Sequence, residues 1–121
     1  MLDSFLRILG IQNTLIIYFN YADQPAVNVL KKVLGLRAKV IKLEPESNIL
    51  PPEVNEYPVV IVIGPNTNPI INRFIQLGAI RSKEGIFTVG NMIFIVGKTP
   101  LDTFELVSQA LRNGLYWYLT S

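Results

Sequence analysis

Polar side chains that could do chemistry stand in three short segments, each directly after an apolar run. They supply carboxylates, amides, hydroxyls and one ammonium group: Asn20, Tyr21, Asp23 and Gln24, then Asn66, Thr67 and Asn68, then Lys98, Thr99 and Asp102. Beside helix N-termini, whose free N–H groups attract negative charge, such groups hold small anions or phosphates. The same residue types also cap helices and form turns, which explains them without any ligand. The sequence alone leaves both interpretations open.

The composition excludes most catalytic and metal-binding classes. The chain contains no cysteine and no histidine. Disulfide frameworks, cysteine nucleophiles, Ser-His-Asp triads and histidine-ligated metals are therefore ruled out. We expect no metal and no cofactor, and we favour a protein that is not an enzyme. Any turnover would have to rest on a few polar residues whose types do not single out a reaction. These residues are Tyr21, Asp23, Lys98 and Asp102.

Two nucleotide-binding motifs can be tested directly against the sequence. Gly97, Lys98 and Thr99 match the last three residues of a phosphate-binding P-loop. That motif also needs a glycine where Met92 stands, so a P-loop nucleotide hydrolase is excluded. No G-x-G-x-x-G pattern follows any apolar run, and a dinucleotide cofactor therefore has no support either.

A basic stretch without acidic residues lies between residues 31 and 42. It comprises Lys31, Lys32, Arg37, Lys39 and Lys42. Lysines can contact phosphate, but no aromatic residues are interleaved with these to stack on bases, and the formal net charge is only +2. We therefore do not expect nucleic acid as a partner. We assign two of the lysines to the protection of an edge strand against pairing with another chain.

One succession of residues occurs three times: an apolar run, a polar loop with proline, and apolar residues at helical spacing. It predicts strands at residues 14–19, 59–63 and 92–96, and helices at 26–34, from 70 to about 78, and from 104 onward. Continuous β-branched runs are typical of strands buried on both faces, and intervening helices make such strands parallel. Residues 59–63 are predicted to form the central strand. Asn68 is predicted to cap the second helix, and Asp23 or Gln24 the first.

Two further strands complete the predicted sheet. Residues 38–43 alternate imperfectly and include lysines, which suits an edge strand. Residues 86–89 are followed by Gly90 and Asn91, a two-residue hairpin signal that joins them to residues 92–96. The predicted fold class is α/β, a single domain over residues 1–121 with three layers of Rossmann-like or flavodoxin-like character. Its sheet has about five strands, mainly parallel, with one antiparallel hairpin strand.

Three aromatic residues stand near residue 121: Tyr116, Trp117 and Tyr118. Tyr and Trp are favoured at protein interfaces, because they combine a large apolar surface with a polar group. If the last helix continues past Gly114, Trp117 points outward and provides a surface for self-association. The alternative is that these residues pack back onto the core.

Turn residues indicate a resemblance to a known family. Residues 64–69 read Gly-Pro-Asn-Thr-Asn-Pro after a strand, and a hairpin, a strand and a helix with Asp102 and Thr103 follow. Over residues 59–111 this succession resembles the α/β domain of archaeal S-layer-like proteins. The resemblance implies assembly into surface arrays rather than catalysis. The chain departs from that family as a single short domain without a signal peptide, and no functional residue is transferred from it.

Two functions follow from these observations. The first is a non-catalytic interaction or assembly module that forms homo-oligomers. The alternative is a domain that binds a small anionic or nucleotide-like ligand at the carboxyl ends of the parallel strands. The residues predicted to bind that ligand are Asp23, Asn66, Thr67, Asn68, Lys98 and Thr99.

The expected location is the cytoplasm. Within residues 1–19 the longest uninterrupted apolar run is 15–19, far short of the roughly 20 residues that span a membrane. No signal peptide is recognisable, so we expect a soluble protein without membrane contact. Fifteen isoleucines and the missing cysteine favour a thermophilic source, whereas the charged fraction of 17% argues against it, so the composition leaves the source open. An archaeal source is implied only by the resemblance to S-layer-like domains.

Overall fold

A computed structural model describes residues 13–114 of the chain. The strands in this part are β1 (Thr14–Tyr18), β2 (Ala38–Lys42), β3 (Val59–Gly64), β4 (Gly85–Val89) and β5 (Met92–Val96). The α-helices are α1 (Gln24–Leu34), α2 (Pro69–Gln76) and α3 (Pro100–Gln109). Tyr116, Trp117 and Tyr118 lie outside the described residues, so their role at an interface stays a prediction.

The five strands form one mixed sheet in the order β2-β1-β3-β5-β4. β1 pairs in parallel with β2 and β3, β3 pairs in parallel with β5, and β4 runs antiparallel to β5. The α/β class and the mainly parallel sheet with one antiparallel strand are confirmed. β2 lies at an edge and the fully buried β3 at the centre, as their sequences predict.

Local signals in the sequence set where the helices begin and end. α1 begins slightly before its predicted start, because the short 3-10 helix Tyr21–Asp23 leads straight into it. It ends at Gly35, whose φ of 62° is one that glycine adopts without strain. α2 and α3 each begin with a proline behind a capping side chain, Asn68 and Thr99 respectively. No helix within residues 13–114 is long and apolar enough to cross a membrane.

Apolar side chains form two clusters, one on each face of the sheet. Because side chains alternate along a strand, Ile61 and Ile63 of β3 belong to one cluster and Val60 and Val62 to the other. The first cluster, which we call core A, includes residues of α1 and α3. The second, core B, includes residues of α2. Both faces of the central strand are thereby buried, and its loops are left at the ends of the sheet.

Candidate functional site

The carboxyl ends of β1, β3 and β5 lie at one edge of the sheet, because these strands are parallel. We call it the carboxyl edge. From β1 the chain continues through α1 to β2 on one side, whereas β3 and β5 lie on the other side. The strand order therefore reverses between β1 and β3. In open α/β sheets, ligands bind in the crevice outside such a reversal.

A cavity of about 40 Å³ lies at the carboxyl edge. Its walls come from the loops after β1, β3 and β5 and from the start of α3: Asn20, Asp23, Pro65, Gly97, Lys98, Thr99, Pro100 and Thr103. Several of these residues are exposed, so the cavity opens to solvent. A cavity needs about 10–15 Å³ of such space to hold one water molecule, so this one is large enough for a small polar group. The cavity can enclose one small group, and a larger molecule must extend across its mouth.

Asp23 is the buried polar residue of this cavity. Its side chain is only 3% exposed, and Oδ1 has no hydrogen-bond partner among the described residues. The prediction that Asp23 caps α1 is wrong for the side chain, which makes no capping hydrogen bond although the residue precedes the helix. Its position is set instead by the 3-10 helix, where the Asp23 backbone N–H donates to the Asn20 carbonyl at 2.9 Å. A carboxyl group is thus held in the cavity wall with one oxygen that residues 13–114 leave without a donor.

Burial also changes how Asp23 titrates. Loss of hydration disfavours the charged carboxylate and raises the pKa of Asp23 above its ordinary value of 3.8. Thr14 Oγ1 is a second buried side-chain oxygen without a partner among the described residues, but it lies at the other end of β1. Of these two buried oxygens, the one at the carboxyl edge belongs to Asp23.

The opposite wall of the cavity depends on close packing between the loop after β5 and α3. Thr99 Oγ1 accepts from the backbone N–H of Asp102 at 3.2 Å, and Thr103 Oγ1 donates to the Thr99 carbonyl at 3.1 Å. A Cβ atom at Gly97 would lie 2.8 Å from Thr103 Cα and closer still to Thr103 Oγ1. Gly97 therefore allows α3 to approach the end of β5.

Lys98 provides the positive charge at the mouth of the cavity. Its side chain is exposed, and it also lines a neighbouring hollow of about 300 Å³. That hollow has acidic side chains from Glu84, Asp102 and Glu105. An anionic group that contacts Lys98 is therefore favoured on the cavity side, where the positive end of the α3 dipole lies.

In the loop after β3, the buried polar side chain stabilises the fold. Asn68 is 3% exposed, and its Oδ1 accepts from the backbone N–H groups of Ile70 at 2.9 Å and Ile71 at 3.2 Å. Its Nδ2 donates to the carbonyl of Pro45 at 3.0 Å. The predicted cap of α2 is confirmed, and the same side chain also holds the proline-containing connection between β2 and β3.

The two residues before Asn68 are also placed by the turn. Asn66 Nδ2 donates to the Lys83 carbonyl at 3.1 Å, and the Asn66 carbonyl accepts from Asn72 Nδ2 at 3.4 Å. Thr67 is exposed. Of the six predicted ligand residues, the structure brings Asp23, Lys98 and Thr99 together around the cavity, whereas the three residues of this turn are not in its walls.

Beside the cavity, the carboxyl ends of β1 and β2 carry two further contacts. Lys42 Nζ lies 4.3 Å from the ring centroid of the exposed Tyr21, a cation–π contact. The hydroxyl of Tyr18 donates to Gln24 Oε1 in a short hydrogen bond. Burial, and secondarily Tyr21, raises the pKa of Tyr18. One lysine of the basic stretch is therefore engaged within the chain.

Sequence reasoning missed four residues of the cavity wall: Pro65, Gly97, Pro100 and Thr103. In the sequence, Gly97 stands out only as part of an incomplete P-loop motif, and the two prolines only as residues of the polar loops. The spacing between Gly97 and Thr103 was the available signal, since a glycine one turn before a helix permits close approach to a residue in that helix.

No known protein family matches the chain, and neither a curated protein nor a solved structure shows significant similarity to it. Within residues 13–114, no three acidic side chains are grouped so that they could hold a metal ion. The arguments for function therefore rest on the geometry of the carboxyl edge.

Proposed function

We propose that this protein binds a small ligand at the carboxyl edge, and that the ligand combines a hydroxyl or amine donor with an anionic group. The observation that supports this is Asp23, which is almost wholly buried in the cavity wall while its Oδ1 lacks a partner among the described residues. Buried polar atoms in folded proteins nearly always have a hydrogen-bond partner. A donor group of the ligand is the partner we propose for Oδ1.

The size and charge of the site suggest how such a ligand lies. One hydroxyl or amine enters the cavity of about 40 Å³ and donates to Asp23. The rest of the molecule extends over the mouth, where Lys98 and the first turn of α3 attract its anionic part. Phosphorylated polyols and nucleotides have both groups. The binding is proposed as recognition without a chemical reaction.

We propose for the fold a three-layer arrangement of Rossmann-like or flavodoxin-like character. The supporting features are the parallel order β2-β1-β3, which flavodoxin-like sheets share, and the apolar clusters on both faces. This arrangement would place the ligand at the usual position for such sheets. A cytoplasmic location, a thermophilic source and the resemblance to S-layer-like domains stay predictions.

A set of four probes tests the proposed ligand class: glycerol, inorganic phosphate, glycerol phosphate and adenosine monophosphate. Each is added at millimolar concentration, and the melting temperature is measured, because a ligand that binds only the native state stabilises it. We expect glycerol phosphate or the nucleotide to raise the melting temperature more than glycerol or phosphate alone. If none of the four stabilises the protein, the proposal is wrong.

Paired lysine variants test where the anionic group lies. Lys98→Gln removes the charge at the cavity mouth, and we expect roughly tenfold weaker binding of glycerol phosphate. Lys32→Gln makes the same change in the last turn of α1 and should leave binding as in the parent. Equal effects of the two substitutions would show that the phosphate responds to overall charge rather than to this site.

Self-association is our second proposed function. The sequence assigns it to Tyr116, Trp117 and Tyr118, which lie outside the described residues. Light scattering at micromolar concentration should show a dimer or larger species, and a monomer at every concentration would exclude this function.

A further inference from the structure

Beside the cavity at Asp23 lies the hollow of about 300 Å³, between the beginning of β4, the end of β5 and α3. Gly97 and Lys98 line both recesses, so the two are neighbours that share a wall. Ligand pockets usually have volumes of about 300–1,000 Å³, and the hollow therefore has room for a part of a ligand that the smaller cavity cannot hold. A ligand bound at the cavity can extend past Lys98 into the hollow.

The charge of the hollow is opposite to that of the cavity mouth. Carboxylates of Glu84, Asp102 and Glu105 line it, and in the described part of the chain none of the three forms an ion pair. Neighbouring carboxylates repel one another, and a cation between them lowers their energy. The acidic side chains in this part of the chain are not grouped closely enough to hold a metal ion, which favours a larger, organic cation. Leu106, which packs against core A, gives the hollow an apolar surface for an alkyl chain.

We infer that the ligand is a phosphodiester that joins a polyol to an amino alcohol, such as glycerol phosphate esterified with ethanolamine. This inference rests on the proposed binding of a small ligand at the carboxyl edge, and it names the class of that ligand. Along such a molecule a hydroxyl donor, an anionic phosphate and a cation follow one another. Along the protein, Asp23, Lys98 and the three carboxylates of the hollow follow in the same order, since Lys98 lies in the wall that the two recesses share.

Each of the three groups of this ligand has a counterpart in one part of the site. A hydroxyl of the polyol donates to the buried Oδ1 of Asp23, which has no partner among the described residues. The phosphate lies between Lys98 and the first turn of α3, on the cavity side. The ammonium group lies in the hollow, where the side chains of Glu84 and Glu105 are exposed and can turn toward it. A diester carries one negative charge, so a single anion meets a single lysine.

The polyol of the inferred ligand has free hydroxyl groups, because Asp23 needs a hydrogen-bond donor. The same phosphodiester occurs in the head groups of membrane phospholipids, where fatty acids esterify the remaining hydroxyls of glycerol. Esterified oxygens cannot donate a hydrogen bond. The inferred ligand is therefore the water-soluble diester rather than the lipid.

Two matched ligands test the cationic end. The ethanolamine ester of glycerol phosphate carries an ammonium group, whereas the propyl ester has a methyl group at the same place. Calorimetric titration into the full chain should show that the ethanolamine ester binds at least roughly tenfold more tightly than the propyl ester. The double substitution Glu84→Gln with Glu105→Gln should abolish this difference. Glu56→Gln, before β3 at the opposite end of the sheet, is the matched control and should leave the difference unchanged.

The outcomes separate this inference from the proposed function. If neither glycerol phosphate nor either ester binds, both are wrong. If glycerol phosphate binds and the two esters have equal affinities, the proposed function stands and the inference is overturned. A preference for the ethanolamine ester that persists in the double variant places the cation outside the hollow and also overturns it. Vesicles of phosphatidylcholine and phosphatidylethanolamine in equal amounts should not bind, and binding as strong as that of the soluble diester would mean that Asp23 receives no hydroxyl, against the inference.

Discussion

Two turns at the carboxyl edge use the same kind of buried polar residue in opposite ways. Asn68, after β3, and Asp23, after β1, each precede an α-helix, and each is only 3% exposed. The Asn68 side chain makes three hydrogen bonds within the chain. Asp23 has an oxygen without a partner among the described residues and makes no capping bond. Within residues 13–114, the fold accounts for the Asn68 side chain but not for the buried oxygen of Asp23.

The difference shows which polar residue of this edge is available for binding. Removing a carboxylate from water without giving it a donor is unfavourable, whereas a buried amide with all its partners is stabilising. Such a residue, in a wall that several loops build, is placed for a hydrogen-bond donor that residues 13–114 do not supply. In our account this is the donor group of a ligand.

The largest expected effect concerns the wall opposite Asp23. Gly97→Ala should lower the free energy of unfolding by about 3 kcal/mol, because the new Cβ would overlap the backbone of Thr103. Gly64→Ala is the matched control at the end of β3. Its Cβ would meet only side-chain atoms, Phe19 Cδ2 at 2.9 Å and Ile71 Cδ1 at 3.1 Å, which can shift. We expect it to cost about 1 kcal/mol in chemical denaturation. Equal losses of unfolding free energy in the two variants would mean that α3 can shift away from β5, so that this wall of the cavity is not rigid.

Asn68→Ala should lower the free energy of unfolding by about 2 kcal/mol, because it removes the cap of α2 and the hydrogen bond to Pro45. Asn68→Ser restores a capping oxygen and should recover roughly half of the loss in the same denaturation experiment. An Asn68→Ala variant as stable as the parent would contradict the structural role that we assign to this turn.

Asp23→Asn should increase the free energy of unfolding, by an amount that depends on pH. The pKa of Asp23 is raised in the native state, so the unfolded chain ionises first as the pH increases from 3.8. The parent therefore loses stability up to the raised native pKa, and the loss persists at neutral pH. Melting curves should show Asp23→Asn more stable than the parent at neutral pH, with the difference shrinking below about pH 4. A variant less stable than the parent at neutral pH would mean that Asp23 has a partner in the fold.

The smallest effect is expected for Asn66→Ala. This substitution removes an exposed hydrogen bond to the Lys83 carbonyl and should cost about 0.5 kcal/mol. Chemical denaturation of both variants would then show that the buried Asn68 contributes more to the free energy of unfolding than the more exposed Asn66. A loss as large as that of Asn68→Ala would show that the turn acts as a unit.

The sequence was sufficient for the elements and for part of the site. Apolar runs located the strands, Gly90 and Asn91 marked the hairpin, and Asn68 before Pro69 marked the start of α2, since these signals are local. Where a turn's side chains point depends on distant partners instead. Asn66 bonds to the carbonyl of Lys83 and Asn68 to that of Pro45, and no pattern around the turn indicates either contact.

The cavity at Asp23 is a second case in which the sequence alone does not determine the contacts of a side chain. The sequence places Asp23 at the carboxyl edge. Whether its carboxyl oxygen has a hydrogen-bond partner, however, depends on atoms of three separate loops. Gly97 was recognised only as part of an incomplete motif. Its closeness to Thr103 follows from the packing of α3 on the sheet, which is a property of the whole fold.

Calorimetric titration of glycerol phosphate into Asp23→Ala and Asn66→Ala tests the comparison most directly. Both variants remove a polar side chain from the carboxyl edge, but only Asp23 lies in the cavity wall. We predict that Asn66→Ala binds as the parent does and that Asp23→Ala binds at least roughly tenfold more weakly. Equal affinities of the two variants would contradict the account, because the carboxyl group of Asp23 would then have no part in binding.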